Sequence, residues 1–294
     1  MADYIGCTVK RLAPDLHQEA ARTAVGLNPA NEVRDPLGLL GVQRIALLTS
    51  KYWGPKGVRL TVQFLDLGGN ARELELKRKI LLHMNAWGTR ANVQFVETAR
   101  DGQVRIARTR GQGHWSYLGT DVLHVGAGQP TMNLDSFTLN TPESEFFRVV
   151  RHETGHTLGF PHEHMRRAIV DRIDPTKAIL YFGRTQGWSA DEVRQQVLTP
   201  LEESSLRAIR ADSVSIMCYA LPGEIMVDGQ PVPGGRDIDD LDFSLAADVY
   251  PLAVAPPPPP PSPPPVSPPT PAAGNVVLDL DRRLATLPPG WSVK

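Results

Sequence analysis

The chain has 294 residues, of which 41% are hydrophobic, and its formal net charge is −1. This length and apolar content allow one domain of about 200 residues with a buried core, plus extensions. The balanced charge argues against nucleic acid or an anionic membrane as the main partner. The sequence contains no apolar run that approaches the roughly 18–20 residues needed to cross a bilayer.

The start of the chain and its cysteines bear on the compartment. The opening MADYIGCTVKRLAPDLHQEAARTAV lacks the basic-then-apolar order of a secretory signal. Two cysteines, Cys7 and Cys218, are too few for a disulfide scaffold, which suits a reducing compartment. We therefore expect a cytoplasmic protein, and leaderless export stays open as an alternative.

The hydrophobic pattern predicts alternating elements along most of the chain. PDLHQEAARTAVGL near the start predicts a helix that NPANEVRDP stops. GVRLTVQFL (57–65) alternates like a half-buried strand, and NARELELKRKILLHMNAWG (70–88) has one apolar helical face. ANVQFVETA and GQVRIAR predict two further strands before a helix that begins near Glu145. This order predicts a fold of the α+β class with a mixed sheet.

The segment HETGHTLGFPH (152–162) combines three histidines with a glutamate. Side chains four residues apart lie on one face of a helix, so His152 and His156 can bind the same metal ion. Glu153 can then reach a water at that ion and act as general base. The alternative is a polar helix whose histidines bond to neighbours, but the five fixed motif positions favour a metal site.

The residues after this helix predict a third ligand. Gly159 permits a left-handed turn, and Pro161 disfavours helical geometry at Phe160. The chain can therefore bend back and present His162. Three protein ligands leave one position open for water, which is the arrangement of a catalytic zinc, although three imidazoles also bind other first-row ions.

At these residues the chain resembles a metzincin metalloprotease, and most of all the astacin family. Glu163 directly follows His162, as in the family signature. HWSYLG (114–119) is similar to the family's Cys-Trp-Ser-x-x-Gly segment, and SVSIMCY (213–219) resembles the Met-turn. The resemblance extends over about residues 50–251. It implies a zincin-like domain with a twisted mixed sheet, an active-site helix and a C-terminal subdomain after the third histidine.

The resemblance also implies a zinc endopeptidase. The metal held by the three histidines would polarise the scissile carbonyl and activate a water. Glu153 would take the proton of that water, and the Tyr219 hydroxyl would stabilise the oxyanion. Met217 would lie under the metal as apolar support, and Gly159 would support the site through its turn. Glu163 would contact the mature N-terminus after activation.

Two departures from the family pattern involve cysteine. His114 stands where the family usually has a cysteine, and the chain has only Cys7 and Cys218, so the disulfides of secreted astacins cannot form. Cys218 stands where the family usually has a histidine. These departures fit a cytoplasmic relative or one that is exported without a leader.

We divide the chain into four parts on this basis. Residues 1–48 are an N-terminal arm or a pro-segment, and residues 49–252 are the catalytic domain. Residues 253–274 are a proline-rich linker, APPPPPPSPPPVSPPTP at its centre, which alternatively docks a proline-binding partner. Residues 275–294 form a tail that is too short for a domain.

The role of the N-terminal arm has two interpretations. In one it packs on the catalytic domain and never touches zinc. In the other it is an inhibitory pro-segment that blocks zinc through the soft Cys7 thiolate or through the carboxylate of Asp3 or Asp15. The sequence contains no clear switch motif that decides between them.

The remaining histidines and the rival functions complete the predictions. His164 is expected at the surface or beside the zinc surroundings, His114 is expected not to be a ligand, and His17, His83 and His124 are expected to be structural. The expected partner is a protein or peptide substrate. The alternatives to catalysis are a zinc-containing protein that binds peptides without cutting them, and an interaction protein that acts through its proline-rich tail.

Overall fold

The computed structural model describes residues 7–33, 35, 40–202, 211–253, 277–279, 284–286 and 289–292. Asp3 and nearly all of the proline-rich linker lie outside the described residues. The chain divides into two compact units, residues 1–253 and residues 254–294. The N-terminal arm and the predicted catalytic domain thus belong to the same unit, the first one.

The first unit contains a mixed sheet of six strands in the spatial order β1-β5-β6-β4-β2-β3. Strands β4, β2 and β3 are parallel to one another, whereas β5 runs antiparallel to β6. The arm contributes β1, which pairs in parallel with β5 at the sheet edge. The strands are β1 (Cys7–Lys10), β2 (Val58–Phe64), β3 (Val93–Glu97), β4 (Val104–Ala107), β5 (His114–Tyr117) and β6 (Met132–Asn133).

The described α-helices are α1 (His17–Leu27), α2 (Val42–Leu48), α3 (Ala71–Met84), α4 (Glu143–Glu145), α5 (Arg151–Thr157), α6 (Arg167–Val170), α7 (Pro175–Gln186), α8 (Ala190–Val193) and α9 (Asp240–Val249). They include four after His162, among which α7 and α9 are the longest. No described helix has the length and apolar character needed to cross a membrane.

Local sequence explains the elements around which the core forms. Strand β2 alternates buried and more exposed side chains, as its period-two pattern requires. Helix α3 begins at a capping box in which Asn70 and Glu73 satisfy each other's backbone amides. Its residues Leu76 and Ile80 are buried one turn apart. Both elements pack into one hydrophobic core beneath the histidine helix.

The predicted α+β class and mixed sheet are confirmed. Predicted strands and helices before residue 108 occur within a few residues of their expected bounds. The second unit holds an unexpected antiparallel pair, β7 (Val277–Asp279) and β8 (Leu284–Thr286), in the region predicted only as a tail.

Candidate metal centre

The histidine helix is continuous from residue 143 to residue 157, although its hydrogen bonding changes along the way. A π-helical stretch, Phe146–Val150, separates α4 from α5. Two indoles fix the ends of α5: Trp87 Nε1 donates to the Arg151 carbonyl at 2.9 Å, and Trp53 Nε1 donates to the Thr157 carbonyl at 2.9 Å. The helix that carries the histidines is therefore held from both ends by tertiary contacts.

His152 and His156 lie on one face of α5, and both rings are oriented by backbone carbonyls. His152 Nδ1 donates to the Ile216 carbonyl at 2.6 Å, and His156 Nδ1 donates to the Phe160 carbonyl at 2.8 Å. Because Nδ1 carries the hydrogen in each ring, Nε2 presents its lone pair toward the other histidines.

The turn after the helix brings the third histidine to the other two. Gly159 has φ +97°, a left-handed conformation that a side chain would disfavour. A Cβ at Gly159 would also lie 3.0 Å from the Lys51 carbonyl oxygen. The chain then reverses and places His162 Nε2 at 3.3 Å from His152 Nε2 and 3.0 Å from His156 Nε2.

The donor set fits zinc. Burial lowers the pKa of His152 to about 4 and those of His156 and His162 well below their ordinary value, so all three imidazoles are neutral near pH 7. Converging lone pairs repel one another unless a cation lies between them. Nitrogens bound tetrahedrally at about 2.05 Å lie roughly 3.3 Å apart, close to the observed separations. These three residues form one of two possible metal-binding groups among the described residues.

Glu153 and Cys7 lie together beside the first histidine. The Cys7 sulfur, a His152 nitrogen and a Glu153 carboxylate oxygen lie within 4.8 Å of one another. Burial raises the pKa of Glu153 to about 8, and the pKa of the Cys7 thiol is also raised by burial. The arm therefore places a soft sulfur ligand at the catalytic glutamate predicted from the sequence, whereas Asp15 is exposed in a 3-10 turn.

Met217 lies against the histidine helix at Gly155, a position that the sequence did not mark. A Cβ added to Gly155 would lie 2.4 Å from Met217 Sδ, so a residue larger than glycine cannot stand there without displacing the methionine. The only sequence signal for this contact is a glycine inside a helix, which alone is ambiguous. Asp242 supports the same turn by accepting hydrogen bonds from Ser215 Oγ and the Ile216 amide.

Tyr219 packs among the histidine rings. Its ring lies 4.4 Å from the His162 ring and 3.9 Å from the His164 ring, centroid to centroid. His164 is fully buried, so of the two positions expected for it the structure shows the one beside the predicted zinc ligands. Long-range packing against Tyr219 and a hydrogen bond to the Gln196 carbonyl hold it there.

Glu163 joins the third-ligand turn to the Met-turn. Its amide donates to the Met217 carbonyl at 2.8 Å, and its carboxylate accepts from the Asp212 amide at 3.1 Å. Arg166 Nε lies 3.7 Å from the same carboxylate. Burial raises the pKa of Glu163 to about 7. The implied contact with a mature N-terminus stays a prediction.

Two buried asparagines attach the arm to the catalytic domain far from Cys7. Asn31 donates to the Tyr52 carbonyl at 2.7 Å and accepts from the Tyr52 amide at 3.2 Å. Asn28 donates to the Trp53 carbonyl at 2.7 Å. The arm is thus held both at the sheet edge and at the segment whose Trp53 indole fixes α5.

The other predicted structural histidines lie apart from the three-histidine cluster. His83 bonds to Glu143, His17 to the Leu12 carbonyl, and His124 to Thr23. His114, the first residue of β5, accepts a hydrogen bond from the Asp135 amide. None of them joins a possible metal-binding group among the described residues.

Comparisons with known proteins agree with this geometry. The family model described as Astacin, a peptidase family, matches residues 64–178, which contain all three histidines. The protein "Zinc metalloproteinase nas-27" of Caenorhabditis elegans is 32% identical over 90 residues, which are 31% of this chain and 19% of that protein. The match therefore spans about a fifth of the curated relative's length.

Two solved structures of myroilysin extend the likeness. The first is 28% identical with a TM-score of 0.64, and the match covers 69% of this chain and 97% of that one. The second is 25% identical with a TM-score of 0.52, and the match covers 84% of this chain and 100% of that one.

The fold and the three-histidine site resemble those of zinc metalloproteases of the metzincin type. Within that class the domain is similar to the astacin family of peptidases, which confirms the predicted resemblance. Zinc is accordingly the metal of this class, as predicted.

Proposed function

We propose that this chain is a zinc-dependent endopeptidase whose unprocessed form is latent. The observation that carries the proposal is the convergence of three imidazole nitrogens, 3.0 and 3.3 Å apart, beside a buried glutamate. A purely structural zinc site is usually closed by four protein ligands, whereas this one has three histidines and an acid–base group.

The residues of the site can divide the chemistry of peptide hydrolysis. Zinc bound by the three histidines would supply a Lewis acid for the scissile carbonyl and the attacking water. Glu153 would accept the proton of that water on a carboxylate oxygen and deliver it to the leaving amine. Beside a bound cation the pKa of Glu153, which burial raises, would be lowered, so that the carboxylate form would be favoured. The Tyr219 hydroxyl would donate a hydrogen bond to the oxyanion.

The arm supports the proposal of latency. Strand β1 covers the outer edge of β5, with Cys7 opposite His114 and Lys10 opposite Tyr117. An extended substrate would need a free strand edge next to the metal, because edge pairing supplies main-chain hydrogen bonds. With β1 on that edge and the Cys7 sulfur beside Glu153, the unprocessed chain would bind and cut substrates poorly.

The alternatives differ in what they require of the site. A protein that binds peptides without cutting them needs neither Glu153 nor Tyr219, and both are buried at the histidines. A partner for the proline-rich residues 253–274 remains a separate proposal, since those residues carry no catalytic group. Neither alternative accounts for the buried glutamate.

The decisive experiment compares casein digestion by wild type and by Glu153→Gln, before and after limited proteolysis that removes the arm. We expect processed wild type to cut casein and Glu153→Gln to lose on the order of a thousandfold in rate, because a positioned general base contributes about 10²–10⁴. Zinc content, measured by mass spectrometry, should be equal in both.

Glu97→Gln is the matched control. The Glu97 carboxylate lies on β3, away from the histidines, and pairs with Lys77 of α3. This variant should cut like wild type. Equal activity of wild type and Glu153→Gln would contradict the mechanism. Processed protein that binds zinc but cuts nothing would favour the peptide-binding alternative.

A further inference from the structure

The arm shows how the cleft holds an extended backbone. Strand β1 pairs with β5 on one side, with Val9 opposite Ser116. From the region after the third histidine, Gln196 Nε2 donates to the Val9 carbonyl oxygen at 3.3 Å. The backbone at Val9 is therefore contacted both by a strand and by a side-chain amide.

The position of Gln196 is fixed by its own main chain. Gln196 belongs to a π-helical turn, Arg194–Leu198, a form that recurs at functional sites. Its carbonyl accepts from His164 Nε2 at 2.8 Å, and His164 Nδ1 accepts from the Tyr219 amide at 3.4 Å. This chain of contacts connects Gln196 to the residue proposed to stabilise the oxyanion.

A cavity of about 400 Å³ borders the same place. Its walls come partly from the arm, which supplies Val9 and Lys10, and partly from the catalytic domain, which supplies Gln196 and the predicted zinc ligand His162. Because the arm forms part of these walls, its removal would open the cavity into the cleft. The catalytic-domain side of that space would then lie next to the amide that contacts the backbone.

We propose that Gln196 is a peptide-positioning residue, which holds a backbone carbonyl of the chain lying along β5. In the unprocessed protein that chain is the arm, and in the processed protein it is the substrate. A carbonyl is common to all peptides, so this contact would add affinity irrespective of sequence and would leave selectivity to the side chains on the catalytic-domain side of the cavity. The substrate half of the inference rests on the proposed endopeptidase function, whereas the arm half does not.

The first test uses the full-length chain and the reactivity of Cys7 toward a maleimide. Cys7 and Cys218 are both buried and free, so Cys7 labelling reports lifting of the arm and Cys218 labelling reports general unfolding. We expect Gln196→Met to accelerate Cys7 labelling about fivefold, the usual worth of one hydrogen bond. Cys218 labelling should not change. Gln195→Met, on the neighbouring exposed residue, should match wild type.

The second test uses processed enzyme and a peptide substrate. Gln196→Met should raise KM about fivefold and leave kcat within about twofold, because it removes a contact made equally in ground and transition states. Gln196→Glu keeps the shape and lacks the donor, so it should reproduce both results if Gln196→Met folds poorly.

The outcomes are separable from those of the proposed function. Unchanged Cys7 labelling and unchanged KM would overturn the inference. A fall in kcat alone would also overturn it, since Gln196 would then act through His164 and Tyr219. If processed wild type cuts nothing, the endopeptidase proposal fails, and faster Cys7 labelling in Gln196→Met would still support the contact with the arm.

Discussion

The histidine helix and the N-terminal arm meet at the same site but are built by different kinds of contact. The three histidines lie within eleven residues, and one helical turn and one glycine turn bring them together. Cys7 reaches the site from 145 positions before His152, through strand pairing and two asparagine contacts. Three histidines that are close together in the sequence are thus covered by a segment that is remote from them in the sequence.

The difference separates the predicted metal ligands from the segment that we propose controls access to them. The histidine set depends on helix geometry and on carbonyls that orient its rings, so it should survive loss of the arm. The arm depends on contacts that one chain cut can release cooperatively. Changes in the two regions should therefore affect zinc content and latency independently.

The largest effect is expected from the local set. His156→Ala removes a nitrogen at the centre of the cluster and should abolish zinc binding and proteolysis, since two imidazoles and water hold zinc poorly. Metal analysis after dialysis and casein digestion measure this. His124→Ala, which loses only the bond to Thr23, should keep its zinc. Normal zinc content in His156→Ala would contradict the three-histidine site.

The second-largest effect is expected where Asn31 attaches the arm to the catalytic domain. Asn31→Ala removes the buried side chain that bonds to the Tyr52 carbonyl and amide and to the Ala24 carbonyl, and it should lower the free energy of unfolding by about 3 kcal/mol. Urea denaturation measures the loss, and zinc content should stay normal. Asn140→Ala, at an exposed position, serves as control and should cost less than about 0.5 kcal/mol. Equal losses in both variants would show that Asn31 does not anchor the arm.

The Met-turn offers a pH test of tertiary support. Burial raises the pKa of Asp242 from 3.8 to about 6, so between these values the folded protein binds more protons than the unfolded chain. This contribution to stability is complete below pH 4 and is lost as the pH rises to about 6. Asp242→Asn should remove it, a change on the order of 3 kcal/mol.

The measurement is the free energy of unfolding of wild type minus that of Asp242→Asn, followed from pH 4 to pH 7. This difference should decrease as the pH rises, because the wild type loses the contribution of protonated Asp242. Asp240→Asn, at the first position of α9, where the exposed carboxylate pairs with exposed Arg90, is the matched control. A pH-independent difference for Asp242→Asn would refute the assigned cause.

The smallest effect is expected from substitution of Cys7, which tests how the arm inhibits the unprocessed chain. Cys7→Ala removes the sulfur beside Glu153 but leaves the pairing of β1 with β5 in place. Activity of the unprocessed chain should rise about tenfold, equivalent to roughly 1.4 kcal/mol of lost inhibition. Val9→Ala keeps the thiol and serves as the matched arm variant. Unchanged activity in Cys7→Ala would leave strand pairing as the whole cause of latency.

The sequence by itself determined the features that depend on near neighbours. Helical spacing places His152 and His156 on one face, and Gly159 adopts the left-handed turn that its lack of a Cβ allows. The same local rules predicted β2 and α3 to within a few residues of their bounds. The roles assigned to Glu153 and Tyr219 stay predictions, although both side chains lie at the cluster.

Only the tertiary structure decided which remote groups share the site. Sequence periodicity does not predict three of these contacts. They are Cys7 beside Glu153, Gly155 against Met217, and His164 buried against Tyr219. Strand pairing and core packing join residues far apart in sequence, and their partners depend on the free energy of the whole fold. Local backbone geometry therefore brought the three predicted metal ligands together, whereas long-range packing specified what supports and covers them.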